Sequence, residues 1–116
     1  MKVKRIVANF MTPEPSLVND FYQNILGLEL AMDHGWIRTY TSSESMTAQV
    51  SFANEGGSGT PVPDLSIEVD DLDEVLRRVQ KDKLTVEYGP VSEPWRVRRF
   101  YVRDPFGRLI NILQHE

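Results

Sequence analysis

The chain has 116 residues, 41% of them hydrophobic, with a formal net charge of −4, two histidines and no cysteine. That length holds one hydrophobic core, and the lack of cysteine removes both a disulfide framework and thiolate chemistry. The acidic balance argues against a nucleic-acid partner, and no apolar stretch approaches the about 18–20 residues of a membrane span. The opening Met1-Lys2-Val3-Lys4-Arg5-Ile6-Val7 has no signal-peptide h-region, which fits a cytoplasmic location and no membrane partner.

The first predicted element is a strand, Val3 to Phe10, with Ile6, Ala8 and Phe10 on one face. Thr12-Pro13-Glu14-Pro15 breaks it, and Ser16 is expected as the N-cap of a helix carrying Leu17, Val18, Phe21, Tyr22, Ile25 and Leu26 at helical spacing. Gly27 is placed to end that helix. Strands are predicted near Leu28–Met32, Trp36–Thr41 and Thr47–Ala53. Alternation groups Trp36, Arg38 and Tyr40 on one face of the second of these. Glu55-Gly56-Gly57-Ser58-Gly59-Thr60-Pro61-Val62-Pro63 reads as a flexible connector. It lacks the lysine and the strand-to-helix context of a phosphate cradle.

Beyond the connector the order repeats. Leu65, Ile67 and Val69 share a strand face, and Asp70 or Asp71 caps a helix carrying Leu72, Val75, Leu76 and Val79. The acidic residues Asp70, Asp71, Asp73 and Glu74 complement the helix dipole there rather than forming an acid–base pair. Strands are predicted near Thr85–Tyr88, Arg98–Val102 and Arg108–Leu113. Asp104-Pro105-Phe106-Gly107 suits a type I turn between the last two. Around it Phe100, Val102, Ile110 and Ile112 point one way, while Arg99, Tyr101, Arg103, Leu109, Asn111 and Leu113 point the other. The first set suits burial against helices, and the second has the mixed character of a cavity wall. Periodicity alone thus supports an α+β chain with two strand-helix-strand repeats.

Three segments carry a resemblance: the closing hairpin through Asp104-Pro105-Phe106-Gly107, the helix end Phe21-Tyr22-Gln23-Asn24-Ile25-Leu26-Gly27-Leu28, and Leu65-Ser66-Ile67-Glu68-Val69-Asp70-Asp71. In that order they resemble the vicinal oxygen chelate superfamily of glyoxalase I, extradiol dioxygenases and bleomycin-resistance proteins. The hairpin, with Pro94-Trp95 before it, is closest to the bleomycin-resistance branch. The resemblance implies one domain over residues 1–116, built from two βαβββ modules at about 1–57 and 62–116. Their curled mixed sheets would enclose a pocket, and a chain of this size would form a homodimer with pockets in or beside the interface.

Metal-dependent members of that superfamily hold a divalent ion with His, Glu or Gln on the first and last strands of each half. Here those positions offer Arg5, Val7 or Asn9, then Gln49 or Ser51, then Asp64, Ser66 and Glu68, with Asn111 where a glutamate would stand. A catalytic Zn, Fe or Mn site needs about three His or carboxylate ligands, so no metal and no cofactor is expected. His34 falls in a turn and His115 lies near the end. The candidate ligand-binding residues are Trp36, Arg38, Tyr40, Gln49, Asp64, Ser66, Trp95, Arg99, Tyr101 and Asn111. They offer stacking, hydrogen bonds and cations to a flat, polar small molecule. Two readings follow. One is a metal-free binding protein that sequesters an antibiotic or metabolite. The other is a metal-dependent lyase, isomerase, dioxygenase or thiol transferase with an unusual ligand set.

Overall fold

The computed structural model describes residues 5, 7–45 and 49–116. Pro15, with its fixed φ and missing N–H, starts a 3₁₀ turn at Pro15–Val18, which leads into a π-helical segment at Asp20–Ile25. Glu14 therefore takes the N-cap position expected for Ser16, which lies inside the turn. Gly27, at φ +72°, closes the segment: its N–H bonds to Gln23 O at 2.9 Å, and Leu28 N–H bonds to Tyr22 O at 3.0 Å.

An antiparallel hairpin follows, β1 (Glu29–Asp33) with β2 (Arg38–Thr41). Two other expected strands do not form among the described residues. Residues 7–10 and 49–53 have no ladder partner there, and Val7, Val50 and Phe52 are exposed. Alternation marks a segment as able to pair, but an extended segment becomes a strand only when a second backbone meets its N–H and C=O groups. Val3, Ile6 and Thr47 lie outside the described residues.

The second half has the full strand-helix-strand-strand-strand order: β3 (Leu65–Glu68), α1 (Leu72–Lys81), β4 (Val86–Glu93), β5 (Val97–Arg103) and β6 (Leu109–His115). The sheet order is β3-β6-β5-β4, with β3 parallel to β6 and the other neighbours antiparallel. Asp71 caps α1, its carboxylate accepting Glu74 N–H at 3.1 Å. Gln114 accepts the unpaired first-turn N–H of Leu72 at 2.8 Å, fixing the helix start to the sheet.

The core lies between α1, the π-helical segment and one face of this sheet. Phe21, Ile25, Leu72, Val75, Val79, Phe100, Val102, Ile110 and Ile112 form it. The register is the one the alternation predicts, since Phe100 pairs with Ile112 and Val102 with Ile110. Arg78 donates to Ile25 O at 3.0 Å, joining the two helical segments. The chain is thus α+β, with a two-stranded and a four-stranded sheet.

Candidate functional site

The sheet face turned away from α1 carries a polar row. Ser66 pairs with Asn111, Asn111 with Tyr101 and Tyr101 with Tyr88, so four side chains cross β3, β6, β5 and β4. Tyr88 joins by a bulge: Val86 pairs with Val102 in the core, yet Tyr88 pairs with the very next residue, Tyr101. The extra residue re-aims the side chain to the opposite face.

At the Ser66 end of this row is an open cleft of about 780 Å³, within the range of small-molecule sites. Its aromatic walls are Phe10, Tyr22, Trp36, Tyr40 and Phe106, and Ser66 reaches its floor. Tyr22 and Tyr40 lie with ring centroids 6.2 Å apart, and Trp36 is 78% exposed. Arg38 and Arg108 supply the cations. Arg38 is paired with Asp33 at 3.2 Å, whereas the Arg108 guanidinium stacks 5.5 Å from the Phe10 ring centroid and donates to Met11 O. Asp104 anchors the hairpin turn by accepting Phe106 N–H and Arg108 N–H, each at 2.9 Å, and the Tyr22 hydroxyl at 3.0 Å. Burial, then the Asp104 charge, push the Tyr22 phenol well above its usual range, so it stays a neutral donor. A smaller hollow of about 230 Å³ beside Phe21, Ile25 and Leu84 lies on the helical side and lacks a comparable aromatic wall.

A second cluster, beneath the Glu55–Pro61 segment, is closed around Arg99, with Trp95 at its rim 49% exposed. Arg99 is 3% exposed and its guanidinium lies 5.1 to 5.3 Å from the ring centroids of Tyr88, Trp95 and Tyr101. It donates to Glu93 at 3.1 Å, to the Tyr101 hydroxyl at 3.1 Å and to Gly57 O at 3.2 Å. Burial works against the Glu93 charge, but hydrogen bonds from Ser58 and Tyr88 and the Arg99 cation hold its carboxyl below the usual range.

The ten residues singled out from sequence therefore fall into separate places. Trp36, Arg38, Tyr40 and Ser66 line the open cleft. Trp95, Arg99 and Tyr101 belong to the closed cluster, and Asn111 bridges the two by donating to Ser66 Oγ at 3.1 Å. Asp64 accepts Leu109 N–H at 2.8 Å, at the edge of β6. Gln49 is exposed and outside the cleft. Sequence reasoning missed Tyr22, Phe106 and Arg108. Tyr22 was legible only as a core-facing residue, Phe106 as a turn residue and Arg108 as the start of a strand, because the cleft forms where the turn meets the first half.

The positions that hold a divalent ion in metal-dependent relatives do not fit one here. Asp64 spends one oxygen on a backbone N–H, Glu68 meets His115 at 3.0 Å, and Ser66 and Asn111 bond each other as neutral groups. Among the described residues no three His, Cys, Asp or Glu side chains stand together as a ligand set.

No curated protein sequence matches the chain significantly. Several solved structures share its fold. TnmS3, an antibiotic binding protein from Streptomyces sp. CB03234, matches with a TM-score of 0.67 at 21% identity, covering 100% of this chain and 97% of that one. TioX from Micromonospora sp. ML1 matches with a TM-score of 0.64 at 19% identity, covering 96% and 95%. Lactoylglutathione lyase from Agrobacterium tumefaciens matches with a TM-score of 0.60 at 19% identity, covering 86% and 84%. With the family model matched over residues 8–112, nearly all of it, the chain belongs to the Glyoxalase/Bleomycin resistance protein/Dioxygenase superfamily.

Proposed function

We propose that this protein binds a flat, polar small molecule without a metal and sequesters it stoichiometrically, the ligand being an antibiotic or a metabolite. The observation that carries the reading is the aromatic cleft: the Trp36 indole, backed by the His34 ring at 6.5 Å, is 78% exposed and lines the cleft together with Tyr22, Tyr40 and Phe106, offering flat faces for stacking. Likeness to an antibiotic-binding protein supports the same reading. A metal-dependent reaction of the kind catalysed by a lyase finds no suitable donors at the corresponding positions, so catalysis is the weaker reading.

The working unit in this reading is a homodimer in the cytoplasm, each chain one domain of two modules, 1–57 and 62–116, with curled sheets around the pocket. Met11, Val50 and Phe52 are exposed apolar residues of the first half, which supports a second copy covering that half. The test is a fluorescence titration of a panel of planar aromatic antibiotics and metabolites against the wild-type protein and Trp36→Ala. Saturable one-to-one binding, weakened roughly tenfold by the substitution, is expected. Binding that ignores Trp36→Ala would place the ligand elsewhere, and turnover of a bound compound would favour the enzyme. Light scattering should give about twice 13.3 kDa, and a monomer mass would remove the dimer.

A further inference from the structure

Only two buried side-chain polar atoms among the described residues lack a hydrogen-bond partner, and both lie on the sheet face turned away from α1, where Asn111 pairs with Tyr101: Arg99 Nε, a donor, and Asn111 Oδ1, an acceptor. Reversing the Asn111 amide would only exchange which of its atoms is orphaned. Buried polar groups are satisfied in the great majority of proteins, so two orphans on one face call for a physical reason.

Residues Glu55–Pro61 lie across Arg99 and Tyr101 as a strap. Its backbone carbonyls fill the acceptor role: Gly57 O takes Arg99 at 3.2 Å, and Pro61 O and Gly56 O stand 3.2 and 3.5 Å from the Tyr101 hydroxyl, sharing its single proton. Thr60 is held between Tyr101 and Gly57 O, at 3.0 and 2.7 Å. Glycine makes the approach possible, since a Cβ at Gly56 would collide with Pro61 O and the Tyr101 hydroxyl. Gly57, Ser58 and Gly59 all have positive φ, an arrangement that short glycine-rich loops leave and re-enter at little steric cost. The strap is thus held by a handful of hydrogen bonds and by Gly57 packed against the Trp95 indole, where a Cβ would come within 2.7 Å of the ring.

We infer that the face formed by Tyr88, Trp95, Arg99, Tyr101 and Asn111 is a ligand subsite which the strap occupies in the ligand-free protein, and that it takes a neutral aromatic compound carrying a carboxamide or similar carbonyl. The carbonyl replaces the strap's acceptors at Tyr101 and Arg99, and an N–H or O–H donor satisfies Asn111 Oδ1. Neutrality follows from Glu93, which already balances the Arg99 charge and would repel an anion. The Ser66–Asn111 hydrogen bond makes the subsite continuous with the open cleft, so lifting the strap extends that cleft across the sheet. The inference rests on the small-molecule reading and deepens it.

The test uses 2-naphthamide as probe, with amide exchange and chemical-shift mapping by NMR. Gly56 and Thr60 N–H, which bond only within the strap, should exchange at least about 100-fold faster than the β5 and β6 amides. Thr60→Val should speed strap exchange and tighten 2-naphthamide by a common factor of about ten, because a weakened closed state competes less with the probe. Thr60→Ser, which keeps the hydroxyl, should behave as the wild type. If Thr60→Val proves poorly folded, Ser58→Ala, which removes the 2.7 Å clasp on Glu93, makes the same comparison from an exposed position. The probe should shift Trp95 and Tyr101 resonances, and 2-naphthoate should bind at least about tenfold more weakly. Strap amides that exchange only with global unfolding, or an affinity unmoved by both variants, would overturn the inference. Shifts confined to Trp36 and Tyr40 would overturn it while leaving the cleft reading standing. Failure of 2-naphthamide to bind at all would overturn it too, and the antibiotic panel then decides the cleft reading separately.

Discussion

Replacing Arg99 by methionine removes the cation from the closed cluster while keeping much of the side-chain volume. Glu93, whose side chain is 3% exposed, then retains only Ser58 and Tyr88 as donors. Breaking a buried pair from one side costs about 3–5 kcal/mol, because the remaining charge is stranded in low dielectric. A domain of this size has about 5–15 kcal/mol in total, so the loss is a large fraction of its stability. The double variant Arg99→Met, Glu93→Met removes both charges and should recover most of that loss. Urea unfolding of the wild type, both single variants and the double variant gives the coupling energy directly, expected at about 2 kcal/mol or more. The pH dependence differs in size between the two proteins. In the wild type the Glu93 carboxyl is held below its unfolded value, so its contribution is present above the unfolded pKa and is lost as pH falls through the folded one. In Arg99→Met the hydrogen bonds from Ser58 and Tyr88 remain and only the cation's share is lost, so the carboxyl is held less far below its unfolded value and the loss of stability toward acid is smaller. A single-variant loss under about 1 kcal/mol would mean that water reaches the pair and that the cluster is not closed.

Ile110→Asp should abolish cooperative folding, since it places an unpaired carboxylate in the core beside Val102, whereas Asn111→Ala should leave the melting temperature nearly unchanged and weaken any ligand found. Circular-dichroism melts compare the two, and the reverse pattern would mean the hairpin is turned over. Asp71→Ala removes the α1 cap and should cost about 1 kcal/mol in urea unfolding, with no loss to be expected if water replaces the carboxylate fully. Elemental analysis of dialysed protein should find well under one transition metal per chain, and a stoichiometric Zn, Fe, Mn or Ni would refute the metal-free reading.

Local chemistry was legible in the sequence wherever short-range physics decides the outcome. The spacing of Leu72, Val75 and Val79 behind Asp70-Asp71 specified α1 and its buried face and narrowed its cap to those two residues, of which the structure uses Asp71. Strict alternation around Asp104-Pro105-Phe106-Gly107 specified the hairpin, its register and the set of residues facing the helices. Gly27 ended the first helical segment because a left-handed residue was needed there.

What sequence could not decide depends on which backbone comes to lie over which. The alternating segments at 7–10 and 49–53 carry the same signal as β5, yet pairing requires a neighbour that local pattern does not name. The polar face of the hairpin was readable as a wall, but not as two places, an open aromatic cleft and a closed cluster. That division arises because the glycine-rich connector, which in sequence looks only like a flexible spacer, folds back onto Tyr101 and Arg99. Its composition reports freedom of the chain; only the tertiary arrangement supplies the donors that use that freedom to hold it down.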